Sequence, residues 1–202
     1  MNIKKYITLL MIILIISCTK RYIARYYILD YNPQINVENQ FEKPFPYNLQ
    51  VKEFKIDRTY DNSRIVVRQS AHEVYYDRSS LWATRPQVAI TDLLINHINK
   101  LKIVKKCEKT FLEKKPDYII SGTIHSIEKY QSERYSGADL HISIYLMDVQ
   151  ENQIVLTYTI ERYTELYTNK MNYFSKKISD ILNEEFNIFL SKVINYFKEK
   201  QG

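Results

Sequence analysis

The chain has 202 residues, 45% hydrophobic and 26% charged, with a formal net charge of +6. That is the size and composition of one globular domain, and it excludes a disordered chain and a many-span membrane protein. Three Gly exclude glycine-repeat designs and two Cys exclude a disulfide-stapled scaffold; cations spread along the chain argue against nucleic acid as a partner. The 18 Tyr, with plentiful Ile, Lys and Asn, read as the residue usage of an AT-rich genome and carry no functional weight.

Lys4 and Lys5 precede an apolar run over residues 6–16, interrupted only by Thr8. As a helix it reaches about 16 Å, roughly half the hydrocarbon core of a bilayer. It is too short to persist as a membrane span and fits the apolar region of a secretory signal. A buried core helix fits less well, because the run is apolar on every side and Thr19-Lys20-Arg21 follow at once. The run ends in Ile15-Ile16-Ser17-Cys18, which resembles a bacterial lipobox. Small residues there let a peptidase approach the backbone.

The resemblance implies a signal peptide at residues 1–17, cleavage between Ser17 and Cys18, and lipidation of the Cys18 thiol. Ile15 stands where such signals usually have Leu, a side chain of similar volume. Thr19, in place of Asp, favours the outer membrane by the sorting rule of enteric bacteria. Residues 18–24 are the lipid anchor and a short linker. Each buried CH₂ contributes about 0.8 kcal/mol, so two or three acyl chains hold durably. Lys20, Arg21 and Arg25 are placed to meet anionic headgroups. An ordinary secreted protein with a free Cys and an uncleaved anchor are the rival readings.

Residues 25–30 read as a strand and residues 32–46, with three Pro, as a loop. From Tyr47 to Ile56 apolar residues alternate on either side of a phase slip at Lys52-Glu53, where a bulge restores the facing. Residues 63–69 and 72–76 are two short strands. A helix is expected to open at Ser79-Ser80-Leu81-Trp82, with Ser79, Ser80 or Thr84 as cap and Pro86 in its first turn. Ile90, Leu93, Leu94, Ile98 and Leu101 form its apolar stripe. Trp82 packs at its mouth, a reading preferred to ligand stacking.

Residues 118–129, the alternating row Leu140, Ile142, Ile144, Leu146 and the row Ile154, Leu156, Tyr158, Ile160 predict an antiparallel meander. Leu146 is expected opposite Leu156, with the turn at residues 150–152. Gly137 is expected to supply a positive φ in the preceding turn. From Met171 to Phe197 a broad apolar stripe predicts a long helix lying across the sheet. The fold class is therefore α+β, a mostly antiparallel β-sheet with two helices packed on it, in a single domain over residues 25–200.

Catalytic and metal-site motifs are missing from the sequence. The histidines at 72, 97, 125 and 141 lack metal-ligand spacing, and a turn at residues 135–137 keeps His125 and His141 from facing each other. Cys107, beside Lys105 and Lys106, reads as a small packed residue more readily than as an activated thiol. Lys100, Lys102, Lys105 and Lys106 form the densest basic patch and read as a solvated helix end.

One family shares this order of features: the lipobox Cys18, Arg25-Tyr26-Tyr27-Ile28-Leu29-Asp30, Tyr47-Asn48-Leu49, Leu81-Trp82-Ala83, Asp117-Tyr118-Ile119-Ile120-Ser121-Gly122-Thr123-Ile124, the strand over residues 140–148 and a closing amphipathic helix. The chain resembles the ABC-type transport auxiliary lipoproteins, including those like paraquat-inducible protein C. It departs from them in its wealth of Tyr and Lys and its poverty in Gly. The resemblance implies a non-catalytic lipoprotein without cofactor, facing the periplasm, most readily from the outer membrane. It implies as partners a substrate-binding protein of the mammalian-cell-entry type and its ABC transporter, moving phospholipids or other hydrophobic molecules. A ring of copies is an arrangement it allows. The alternatives are a lipoprotein cofactor of a cell-wall synthase or outer-membrane assembly machine, and a lipid-anchored hydrolase.

Overall fold

The computed structural model describes residues 22–33, 43–112, 115–133 and 135–201. The signal segment, the Ser17–Cys18 cleavage site, Cys18 itself, Lys20 and Arg21 lie outside the described residues.

The axis of the molecule is β7 (Tyr118–Gln131). One of its edges takes three parallel partners in succession. These are β2 (Phe45–Val51) beside residues 118–120, β3 (Lys55–Ile56) beside 123–124 and β4 (Arg64–Ser70) beside 128–130. Its other edge carries β8 (Ser136–Asp148), and β9 (Gln153–Glu165) follows beyond, both antiparallel along almost their whole length. On the outer side of β4 lies antiparallel β5 (Glu73–Trp82), which carries parallel β1 (Arg25–Tyr27). On the outer side of β2 lies parallel β6 (Val104–Glu108). The result is one nine-stranded sheet, mostly antiparallel because its antiparallel ladders are the long ones.

Helices α1 (Pro86–Leu101) and α2 (Met171–Gln201) share one face of that sheet. The fold is a single α+β domain, as the sequence predicts. Inward-facing Leu140, Ile142, Ile144 and Leu146 of β8 meet α2, whose Phe174, Phe186, Phe189 and Phe197 are fully buried. Each such side chain contributes about 1.5–3 kcal/mol on leaving water. Two polar latches flank this core. Glu185 of α2 accepts hydrogen bonds from the Tyr158 hydroxyl at 2.6 Å and from Arg162 at 2.5 Å. Lys200, near the other end of α2, reaches Asp148 at 2.5 Å.

The predicted slip at Lys52-Glu53 is present. Val51 faces Ile120 and Lys55 faces Thr123, so this side carries one extra residue. The Phe54 N–H, out of the ladder, donates to Thr91 Oγ1 of α1 at 3.0 Å. Its ring then covers Gly122, where a Cβ would stand 2.7–2.9 Å from the ring carbons.

Two local expectations are corrected. Ser79, Ser80, Leu81 and Trp82 do not open a helix; they finish β5. Asp77 Oδ1 accepts the N–H groups of Ser79 and Ser80 at 2.8 and 2.7 Å, and this local turn accounts for the shifted register between β4 and β5. The helix starts at Pro86, behind Arg85 and without a side-chain cap, so Ser79, Ser80 and Thr84 cap nothing. The fixed φ of Pro86 starts the first turn instead. Trp82 is nonetheless core, buried with its ring 5.8 Å from that of Phe174. Gly137, in turn, lies within β8, opposite Tyr130 and Glu165, and its φ is not positive. It is needed because the Tyr163 ring occupies the space a Cβ would fill. The register of Leu146 opposite Leu156 is as expected.

Candidate functional site

The face of the β7–β8–β9 meander away from the helices carries a group of polar side chains in contact with one another. Ile124 pairs with Ile142 and Ser126 with His141, which leaves His125 as the extra residue of a bulge. The bulge turns His125 onto His141, with ring centroids 4.6 Å apart. The expectation that the two do not face each other is therefore overturned. The β7–β8 turn lies at residues 132–135, earlier than the sequence suggests, and the bulge adds the missing half-step.

Around this pair, His125 Nε2 stands 3.0 Å from Ser143 Oγ and Nδ1 lies 3.9 Å from Asp57 Oδ2. Ser126 donates to Asp139 Oδ2 at 2.7 Å. Burial holds the Asp139 carboxyl above its ordinary range, against the Ser126 hydrogen bond. At the rim, Glu128 is buried and accepts from Tyr60 Oη at 2.8 Å and from Arg68 Nε. Burial, then that hydrogen bond, pushes the Tyr60 hydroxyl up to about 12.

Serine, imidazole and carboxylate in this order invite comparison with a nucleophile, a base and an orienting group. The geometry does not complete the set. Asp57 is beyond hydrogen-bond reach, so it does not fix the ring. Ser143 sits mid-strand between Thr123 and Thr159, where the amides on both sides are spent in the ladder and none is free to receive an oxyanion. Among the described residues no group of three or more His, Cys, Asp and Glu is arranged to hold a metal ion.

Among the described residues, His97 and Cys107 are packed inside the fold. His97 is buried, between the Tyr31 hydroxyl at 3.0 Å and Asn187 Oδ1 at 3.1 Å. Cys107 is buried in β6, and burial pushes its thiol up to about 12 despite the neighbouring lysines. Lys106 pairs with Glu108 at 2.9 Å, Lys100 reaches Asn32, and Lys102 closes α1 in the left-handed conformation. A cleft of about 230 Å³ opens between the segment after β1, at Ile28, Leu29 and Asp30, and α1, at Ala89, Asp92 and Leu93.

The molecule thus offers a polar sheet face without a complete catalytic set, a covered face, and an N-terminal strand leading toward Cys18. Residues 27–164 match the family described as the ABC-type transport auxiliary lipoprotein component. The chain belongs to the ABC-type transport auxiliary lipoprotein family. Family membership gives it an auxiliary place in ABC-type transport and associates it with the cell envelope. The matched span runs from within β1 almost to the end of β9 and stops before α2.

Among solved structures it is similar to a Xanthomonas campestris protein of family DUF330, at 13% identity and a TM-score of 0.75, covering 88% of this chain and 99% of that one. It is also similar to an uncharacterized protein at 12% identity and a TM-score of 0.66, covering 85% and 99%. A hypothetical protein from Chlamydia trachomatis follows at 8% identity and a TM-score of 0.50, covering 75% and 98%. At these identities the likeness establishes the fold. No curated protein is similar enough in sequence to match.

Proposed function

We propose that this chain is a lipid-anchored, non-catalytic docking component of an ABC transport system of the mammalian-cell-entry type. Its signal is cut before Cys18, the Cys18 thiol is acylated, and the domain faces the periplasm from the outer membrane. The sheet domain binds the mammalian-cell-entry-type substrate-binding protein, which with its ABC transporter moves phospholipids or other hydrophobic molecules across the envelope. The observation that carries this reading is the family match over residues 27–164 behind a lipobox-like Ile15-Ile16-Ser17-Cys18. The incomplete Ser143–His125–Asp57 arrangement supports a binding role over hydrolysis.

Cross-linking in the native envelope followed by pull-down tests the partner. Recovery of a mammalian-cell-entry protein is expected; repeated recovery of only cell-wall synthases or outer-membrane assembly proteins overturns the reading.

A further inference from the structure

The exposed tyrosines, Tyr26 of β1 apart, gather toward one end of the sheet. Tyr135 stands in the turn between β7 and β8, Tyr167 in the loop after β9 and Tyr173 in the first turn of α2. The strand register brings all three to the end of the sheet where β7 finishes, since Gln131, Ser136 and Glu165 are neighbours there. Tyr163 lies two residues inside that end, and Tyr75 and Tyr76 face Val67 and Val66, level with the last third of β7. The chain also enters from this side. β1 is parallel to β5, β5 antiparallel to β4 and β4 parallel to β7, so Tyr22 and Ile23 approach from the end where β7 stops. Tyr167 is 104% exposed and Ile23 81%. At the opposite end, Leu112 and Ile154 are exposed, but Tyr118 is buried and Tyr47 and Tyr196 are half-buried.

Tyrosine has an apolar ring with a polar tip and gathers where one side is greasy and the other wet, as at both surfaces of a bilayer. Between Cys18 and Tyr22 lie four peptide steps, which reach about 14 Å at about 3.5 Å each. With Cys18 acylated, Tyr22 stays within about 14 Å of the headgroup layer. In sequence, Lys20, Arg21 and Arg25 follow the anchor, while Lys170 is offset by Glu133 and Glu165, so aromatic contact is joined at this end by a modest positive charge.

We propose that this tyrosine-bearing end is a membrane-contact surface, with Tyr22, Ile23, Tyr135, Tyr167 and Tyr173 seated in the headgroup layer of the bilayer that holds the lipidated Cys18. The proposal rests on the lipidation reading above. β7 then stands away from the membrane, with the β8–β9 turn at Gln150 about 40 Å out, at about 3.3 Å per strand residue.

The test uses the acylated mature chain in phosphatidylethanolamine–phosphatidylglycerol vesicles. Tyr135→Cys, Tyr167→Cys and Gln150→Cys are labelled singly with a dye and exposed to brominated lipid; Cys107 is buried and does not compete. The expected result is at least twofold stronger quenching at 135 and 167 than at 150, a difference that persists in high salt. Equal quenching at all three positions, with the protein still floating with the vesicles, overturns this surface alone. Shielding at 135 and 167 that appears only when an envelope protein is added also overturns it, in favour of a protein partner. A chain that does not float with the vesicles overturns the lipidation reading, and the proposal with it.

Discussion

His97 of α1 and Asn187 of α2 are joined through Nε2 and Oδ1 at 3.1 Å, a polar contact between two helices that otherwise meet through apolar side chains. Asn187 Nδ2 donates to Asn183 O, so its Oδ1 faces the ring as an acceptor and Nε2 carries the proton. Nδ1 then accepts from the Tyr31 hydroxyl.

This neutral ring makes the fold sensitive to acid. Burial lowers the His97 pKa from 6.5 to about 4. The unfolded chain takes up a proton below about pH 6.5 and the folded chain only near pH 4. Stability from this group is thus complete above pH 6.5 and falls as the pH drops through that window, by at most about 3.5 kcal/mol at about 1.4 kcal/mol per pH unit. Urea denaturation from pH 7 to pH 4.5 is expected to show a steeper loss for the native chain than for His97→Gln. Parallel slopes would refute the assignment.

Glu185 is the second sensitive point. Glu185→Ala leaves the Tyr158 hydroxyl without its acceptor and Arg162 with Glu184 alone, at 3.1 Å, and is expected to cost about 2 kcal/mol. In an Arg162→Ala background the Arg162 share of that loss is already gone, so Glu185→Ala should cost less there. Denaturant midpoints for the two single variants and the double variant measure it; strict additivity would contradict the Glu185–Arg162 coupling.

Gly122→Ala places a methyl against the Phe54 ring and is expected to destabilise the fold by about 1–3 kcal/mol. Phe54→Leu in the same chain should relieve a substantial part of the clash, although alone it removes packing. Thermal melts of the single and double variants decide the matter, with strict additivity counting against direct contact.

Cys18→Ala tests the anchor. Labelling with a radioactive fatty acid should vanish and a larger, uncut precursor should accumulate. In the same variant Cys107, buried in β6, should resist thiol reagents until the chain is unfolded. Unchanged fatty-acid labelling, or rapid reaction of the folded chain, would each contradict the corresponding reading.

The long periodic segments were legible. Alternation over residues 140–146 and 154–160 predicts the meander and its register, and the stripe from Met171 to Phe197 predicts α2, because burial on one face imposes a period. Short-range signals failed where a tertiary or side-chain contact decides. Ser79 and Ser80 look like helix caps, but Asp77 takes their amides and the strand continues to Trp82. The His125–His141 contact follows from a one-residue bulge, which leaves no mark in the alternation of a strand already irregular there. The tyrosine-bearing end escaped because a count of 18 says nothing about placement. Tyr22, Tyr135 and Tyr167 do fall in segments that connect elements, and that position was the available signal.

The three parallel neighbours of β7 all precede it in the chain. Val51, Ile56 and Val66 wait for Ile120, Ile124 and Glu128, partners some sixty to seventy residues later. The first hundred residues can pair β4 with β5 and β5 with β1, but the edge that β7 fills stays open until those later residues arrive. A chain delivered first residue first keeps those strand edges exposed until residue 131 has followed, an interval in which chaperone binding guards against aggregation.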